Sequence, residues 1–143
     1  MRKEELNLEN FQEKMPPGHK LAIIKFSSTT CMPCKTITPV WKAFGKENLE
    51  QSLYEVDVNG EPEIAGFFNV RSVPTILFVE DQKAIYSFVG VTPLRDLQYV
   101  LDNIDDPYFR THGEFKVDQK KDYLFTAVVV GLISIFAGLL IFL

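Results

Sequence analysis

The sequence predicts an α/β domain built on a mixed central sheet flanked by helices, followed by a single C-terminal apolar helix. Three observations carry that expectation. Helical and strand periodicities alternate along the chain in the order helix, strand, helix, strand, helix, strand, strand, helix. Two of the strands, Leu21 to Phe26 and Thr75 to Val79, are nearly unbroken apolar runs, the pattern of strands buried on both faces. The last twenty residues, Leu124 to Leu143, carry no charged side chain.

Asn7 is a good N-cap for a short helix over Leu8 to Lys14. Met15-Pro16-Pro17-Gly18 ends it, since neither Pro-Pro nor Gly continues a helix. The strand Leu21 to Phe26 leads into the polar turn Ser27 to Cys34, with Pro33 where the first turn of a helix tolerates it. Ile37, Val40, Trp41 and Phe44 then recur at helical spacing, with Pro39 expected to kink the helix. Between Ser52 and Val58, the residues Leu53, Glu55 and Asp57 alternate with Tyr54, Val56 and Val58, which is a strand pattern. Pro62 opens a short helix ending at Phe68. Thr75 to Val79 and Ala84 to Val89 are strands whose short polar joint, Glu80 to Lys83, makes them an antiparallel pair. Thr92-Pro93 caps a last helix whose Leu94, Leu97, Leu101 and Ile104 form one apolar stripe. Asp105 to Asp122, with Pro107, Gly113 and nine charged residues, has the composition of a tether. The division is 1–104 folded domain, 105–122 charged tether and 123–143 transmembrane helix.

Of the 143 residues, 46% are apolar and 24% charged, ordinary usage that excludes disorder and collagen-like repetition. A net charge of -4 argues against a nucleic-acid binder, whose phosphate contacts need clustered Lys and Arg. Two cysteines cannot staple a disulfide-rich secreted scaffold. The opening residues, Met1 to Asn7, lack the apolar run a secretory signal needs.

As a helix, the twenty residues from Leu124 would extend about 30 Å at roughly 1.5 Å per residue, matching the hydrocarbon core of a bilayer. Thr126 and Ser134 are their only polar residues, and a helical Ser or Thr can bond its own upstream carbonyl. Lys116, Lys120 and Lys121 precede this stretch and no charge follows it, so the positive-inside bias keeps the domain on the cytoplasmic side, single-pass and tail-anchored. Tyr123 stands where an interfacial aromatic would anchor the helix. Ala127, Gly131, Ser134 and Gly138 share one helix face, where two spans could approach closely for self-association or for docking onto other membrane subunits.

Cys31 and Cys34 are the only cysteines, spaced to reach each other on a strand-to-helix turn. A helix N-terminus lowers a thiol pKa, and thiolate is the reactive form. The expected chemistry is attack by Cys31 on a substrate disulfide, then resolution of the mixed disulfide by Cys34. Half of a zinc site is the competing reading. It would need two further ligands, and the remaining soft candidates, His19 and His112, lie far apart in loop-like stretches. No metal and no cofactor is therefore expected. Two buried, inert cysteines are a further alternative.

The strand, the CMPC segment, the helix with Pro39 five residues after Cys34, and the stretch VDVNGEPEIAGFFNVRSVPTILFV together resemble the thioredoxin family, over roughly Glu5 to Ile104. The resemblance implies the thioredoxin fold, with Cys31 as attacking and Cys34 as resolving thiol. It also implies that Pro74 is a cis-proline beside the dithiol, that Val73 offers main-chain groups to an extended substrate, and that Gly90 lines the substrate groove. Pro39 matches the family's kink proline.

Departures from the family matter as well. Thr30 stands where Trp is usual, and Met32 where Gly is usual, so a flexible apolar side chain flanks the attacking thiol on the docking surface. Lys25 occupies a position where many members carry a buried Asp that helps deprotonate the resolving thiol, and Leu53 stands where that Asp's lysine partner is common. Lys25 is then neutral through burial, or charged and thiolate-stabilising, or turned out to solvent. The resulting expectation is a membrane-anchored thiol–disulfide oxidoreductase acting on protein thiols and disulfides. The alternative is a thioredoxin-like accessory subunit of a larger membrane complex, with a vestigial or sensing dithiol.

Overall fold

Successive side chains of a strand point to opposite faces, so an unbroken apolar strand has to be covered twice. A computed structural model, which describes residues 4–116, 127–134 and 138, shows how this chain does so. Ala22, Ile24 and Phe26 join one apolar cluster, while Ile23 joins another on the far side of the sheet. The elements run β1 (Glu4–Glu5), α1 (Leu8–Lys14), β2 (Ala22–Ser27), α2 (Met32–Glu47), β3 (Ser52–Asp57), α3 (Pro62–Phe67), β4 (Thr75–Glu80), β5 (Lys83–Val89), α4 (Leu94–Asn103) and α5 (Pro107–His112). The sheet order is β1-β3-β2-β4-β5. β3 pairs in parallel with β1 and β2, while β4 is antiparallel to both β2 and β5.

α1 and α3 cover one face, contributing Phe11, Ile64 and Ala65 to the first cluster. α2, α4 and α5 cover the other, contributing Ile37, Trp41, Phe44, Leu97, Val100 and Phe109. The Asn7 cap closes reciprocally with Asn10, each side chain accepting the other's backbone N–H. Pro39 lies inside α2, which continues through it to Glu47. At α4 the N-cap is Pro93, without a side-chain bond, and the Thr92 hydroxyl instead donates to the Gly90 carbonyl at 3.3 Å.

Two elements depart from the sequence expectation. β1 consists of two glutamates, poor strand formers, and exists because the exposed edge of β3 accepts it, Glu4 pairing with Tyr54 and Glu5 with Glu55. The expected tether from Asp105 begins instead as α5, packed on the domain. Asp106 caps this helix by accepting from the backbone N–H groups of Tyr108 and Phe109, and Gly113 ends it in the left-handed region at φ 72°. Phe109 is buried, Phe115 stacks on it at 4.4 Å, and Arg110 pairs with Glu80 and Asp105. A charge-rich stretch thus folds onto the core because one apolar anchor is capped at both ends, and the packed unit runs past residue 104. His112 accordingly closes a helix, its ring stacked on Tyr108 at 4.1 Å, rather than lying in a loop. Among the described residues no helix is long and apolar enough to cross a membrane. The rest of the expected tether, residues 117–122, and most of the expected span lie outside the described residues. Residues 127–134 are helical and exposed.

Candidate dithiol site

β2 delivers the chain to the edge of the α2 layer at Ser27, and a four-residue connection turns it into the helix. Asn59, from the β3–α3 loop, donates through its side-chain amide to Ser28 Oγ at 2.7 Å. The Thr30 backbone N–H donates to that same oxygen at 3.4 Å, and the Cys31 N–H to the Ser28 carbonyl at 3.3 Å. This network brings Cys31 to the N-cap of α2, where its Sγ accepts the backbone N–H of Cys34 at 3.1 Å. A sulfur so placed receives a hydrogen bond and the positive end of the helix dipole, both of which favour its anionic form.

Cys31 and Cys34 are bonded to each other, with Cα atoms 5.2 Å apart. They differ in access. Cys34 is only 4% exposed, while Cys31 is partly open. An external sulfur can therefore reach Cys31 and not Cys34, the asymmetry that an attacking and a resolving thiol require.

Two further segments converge on this pair. The Val73–Pro74 peptide bond is cis, and the Val73 carbonyl oxygen lies 3.6 Å from Cys31 Sγ. The Gly90 N–H donates to the Pro74 carbonyl at 2.8 Å, and Gly90 holds φ 92°, a backbone conformation that glycine adopts without strain. Met32 projects into solvent at 69% exposure, with the exposed Val89 and Val91 flanking Gly90. Cys31, Cys34, Met32, Val73, Pro74 and Gly90 thus belong to one neighbourhood drawn from three separate parts of the chain. Among the described residues no three His, Cys, Asp or Glu side chains gather as a metal site.

Lys25 lies beneath, in the layer between sheet and α2, and does not turn out to solvent. It is 3% exposed, its Nζ stands 3.2 Å from Glu55 Oε2 and 5.8 Å from the centre of the Trp41 ring. The β2–β3 register explains the partner: Lys25 lies opposite Glu55, and Leu53 lies opposite Ile23. The position across the sheet from residue 25 is therefore held by an acid, not by Leu53, and the pair has its charges exchanged relative to the family's Asp with a lysine. Glu55 and Asn59 were not singled out by the sequence. The alternation that groups Glu55 with the buried Leu53 on one face was the available signal for Glu55.

The model of the thioredoxin family matches residues 2–103. The chain belongs to the thioredoxin family. It is 29% identical to Thioredoxin-2 of Saccharomyces cerevisiae over 94 residues, covering 66% of this chain and 90% of that protein. It is 35% identical to Thioredoxin of Staphylococcus haemolyticus over 94 residues, 65% of this chain and 88% of that protein. With Thioredoxin Asp f 29 of Aspergillus fumigatus it shares 35% identity over 85 residues, 58% and 77% of the two chains. The cysteine pair falls inside the matched region, whereas α5 and the apolar tail follow it. The chain has the thioredoxin fold with its mixed sheet and is a thioredoxin-like oxidoreductase with a cysteine pair at bonding distance.

Proposed function

We propose that this chain is a membrane-anchored protein-disulfide oxidoreductase working through Cys31 and Cys34. The observation that carries the reading is the unequal access of two bonded sulfurs at a helix N-terminus beside a cis-proline. In the reduced protein, Cys31 thiolate attacks a substrate disulfide, forming a mixed disulfide and releasing one substrate thiolate, which takes a proton from water. Cys34, its proton given up to solvent, then attacks Cys31 Sγ as thiolate, releasing the second substrate sulfur as a thiolate that solvent protonates and leaving the Cys31–Cys34 bond, so two electrons pass to the substrate. Val73 supplies main-chain pairing for an extended substrate segment, Pro74 and Gly90 shape the groove, and Met32 offers it an apolar contact. No cofactor enters these steps.

Lys25 tunes the sulfurs. An ammonium in the layer beneath α2, its field partly offset by Glu55 at 3.2 Å, favours thiolate, stabilises the reduced dithiol and makes the couple more oxidising. Lys25→Asp should shift the pH dependence of Cys31 alkylation, and identical titrations would remove Lys25 from the mechanism.

The anchor is the apolar stretch Leu124 to Leu143, with the domain on the cytoplasmic side. Supporting it, Val128, Val130, Leu132 and Ile133 lie more than half exposed on the helical segment, and Ser134 Oγ donates to the Val130 carbonyl at 2.9 Å, which satisfies the hydroxyl without water. Anchoring raises the effective concentration of partners in the same membrane. The test is capture with Cys34→Ser, which should freeze the mixed disulfide on Cys31. A defined set of trapped proteins is the expected result, and an empty trap overturns the exchange reading.

A second reading, an accessory subunit of a membrane complex, is favoured by the lysine where the family's buried acid is usual and by Ala127, Gly131, Ser134 and Gly138 on the tail. Migration inside a larger assembly after gentle solubilisation, with no disulfide transfer, would select it.

A further inference from the structure

Away from the dithiol, β5, α4 and the segment after α5 enclose a cleft of about 520 Å3. Its walls are aromatic: Tyr86 and Phe88 from β5, Tyr99 from α4, and Phe115. The rings brace one another, with centroids 5.2 Å apart for Tyr86 and Phe88, 5.3 Å for Tyr86 and Phe115, and 5.4 Å for Tyr99 and Phe115. Val100 and two opposite charges, Asp96 and Lys116, complete the lining. Asp96 is already paired with its exposed neighbour Arg95 at 3.1 Å, and Lys116 Nζ stands 5.7 Å from the Tyr108 ring.

Ring faces carry negative potential and attract a cation that brings apolar surface with it. A small hydrated ion would find too few oxygen ligands among four rings, and a primary ammonium would leave N–H groups without acceptors. A quaternary ammonium suits such walls, and the Asp96 carboxylate, partly neutralised by the exposed Arg95, still favours a cation. Lys116 complements an anion on the same ligand. The two charges together describe a phosphocholine group.

We infer that this cleft receives the choline headgroup of a lipid in the bilayer that holds the tail. The inference rests on the reading of residues 124–143 as a membrane span. Only seven residues, 117–123, separate Lys116 from that stretch, and fully extended they reach about 25 Å, so the cleft stays close to the headgroups. Asp106, which lines the adjoining hollow with Lys116, adds further negative charge and makes the face a poor match for anionic lipid. Docking here would orient the domain on the membrane and fix the height at which the dithiol meets its partners.

The test uses the full chain in a maltoside detergent, titrated with phosphocholine while the Tyr99 and Phe115 amide resonances are followed. Saturable shifts are expected, about tenfold weaker in Asp96→Asn and in the half-exposed Tyr99→Ala, with disulfide transfer unchanged. In bilayer discs, Tyr99 nitration should be slower with phosphatidylcholine than with phosphatidylglycerol. Absence of saturable shifts, equal binding by Asp96→Asn, or equal nitration in both lipids would overturn the proposal. Retention of the chain in bilayers after a carbonate wash, without phosphocholine binding, would overturn the cleft alone. Extraction by that wash would overturn the lipid source together with the anchor.

Discussion

Glu55→Gln and Lys25→Met each break the same ion pair, yet they should not cost the same. Lys25 Nζ and Glu55 Oε2 lie 3.2 Å apart, with side chains 4% and 27% exposed. Removing one member of a buried pair costs about 3–5 kcal/mol when the survivor stays buried and charged. In Glu55→Gln the survivor is the ammonium, which cannot reach water. The amide oxygen can still accept one hydrogen bond from it, so a loss of about 3 kcal/mol is expected. In Lys25→Met the survivor is a carboxylate with over a quarter of its side chain in solvent, and Met refills most of the stem's volume against Trp41. What is lost is the ion pair in a partly hydrated setting and a cation–π contact, together about 1–2 kcal/mol. Replacing both, as Lys25→Met with Glu55→Leu, should recover most of the loss. The assay is urea unfolding of the oxidised protein followed by Trp41, the sole tryptophan and 1% exposed, which lies over the substituted site. At about 1–3 kcal/mol per M urea, the two single variants should differ in midpoint by roughly 0.3–2 M. Equal midpoints, or Lys25→Met falling lower, would refute the reasoning that solvent access decides the cost.

Other outcomes follow from single contacts. Phe109→Ala empties a buried site, costs about 3 kcal/mol locally and should detach α5, read as faster tryptic cleavage at Arg110. Gly90→Ala meets no atom within 4 Å of the added carbon, so its penalty is the positive φ alone, about 1–2 kcal/mol, checked by the urea midpoint. Burial holds the Tyr54 hydroxyl above its usual value of 10.0, so the native state keeps that proton longer than the unfolded chain. Its contribution is present below about pH 10 and is lost as pH rises through the native value, a decline that Tyr54→Phe should flatten. At neutral pH the same substitution should cost about 0.5–1.5 kcal/mol, for the bond Tyr54 donates to the Lys14 carbonyl at 3.3 Å.

Elements written as periodic patterns were legible before any coordinates. The Asn7 cap, the apolar strands, the antiparallel β4–β5 pair and the CMPC turn each follow from interactions within a few residues, which a chain carries wherever it folds. The unequal exposure of Cys31 and Cys34 was not among them, since which side of the helix start is covered depends on what packs against it. The β1 pairing of two glutamates, the packing of Phe109 beneath a charge-rich stretch and the meeting of Lys25 with Glu55 join residues distant in sequence. In all three, local propensity pointed elsewhere, and pairing or packing with a remote element outweighed it. Composition and order alone determined that this chain makes an α/β domain with a Cys-x-x-Cys pair at a helix start and an apolar tail. Tertiary structure alone decided that α5 packs onto the domain, which carboxylate answers the buried lysine, and how the cis Val73–Pro74 bond comes to lie beside Cys31 Sγ, because strand register and layer packing are properties of the assembled sheet and of no single segment.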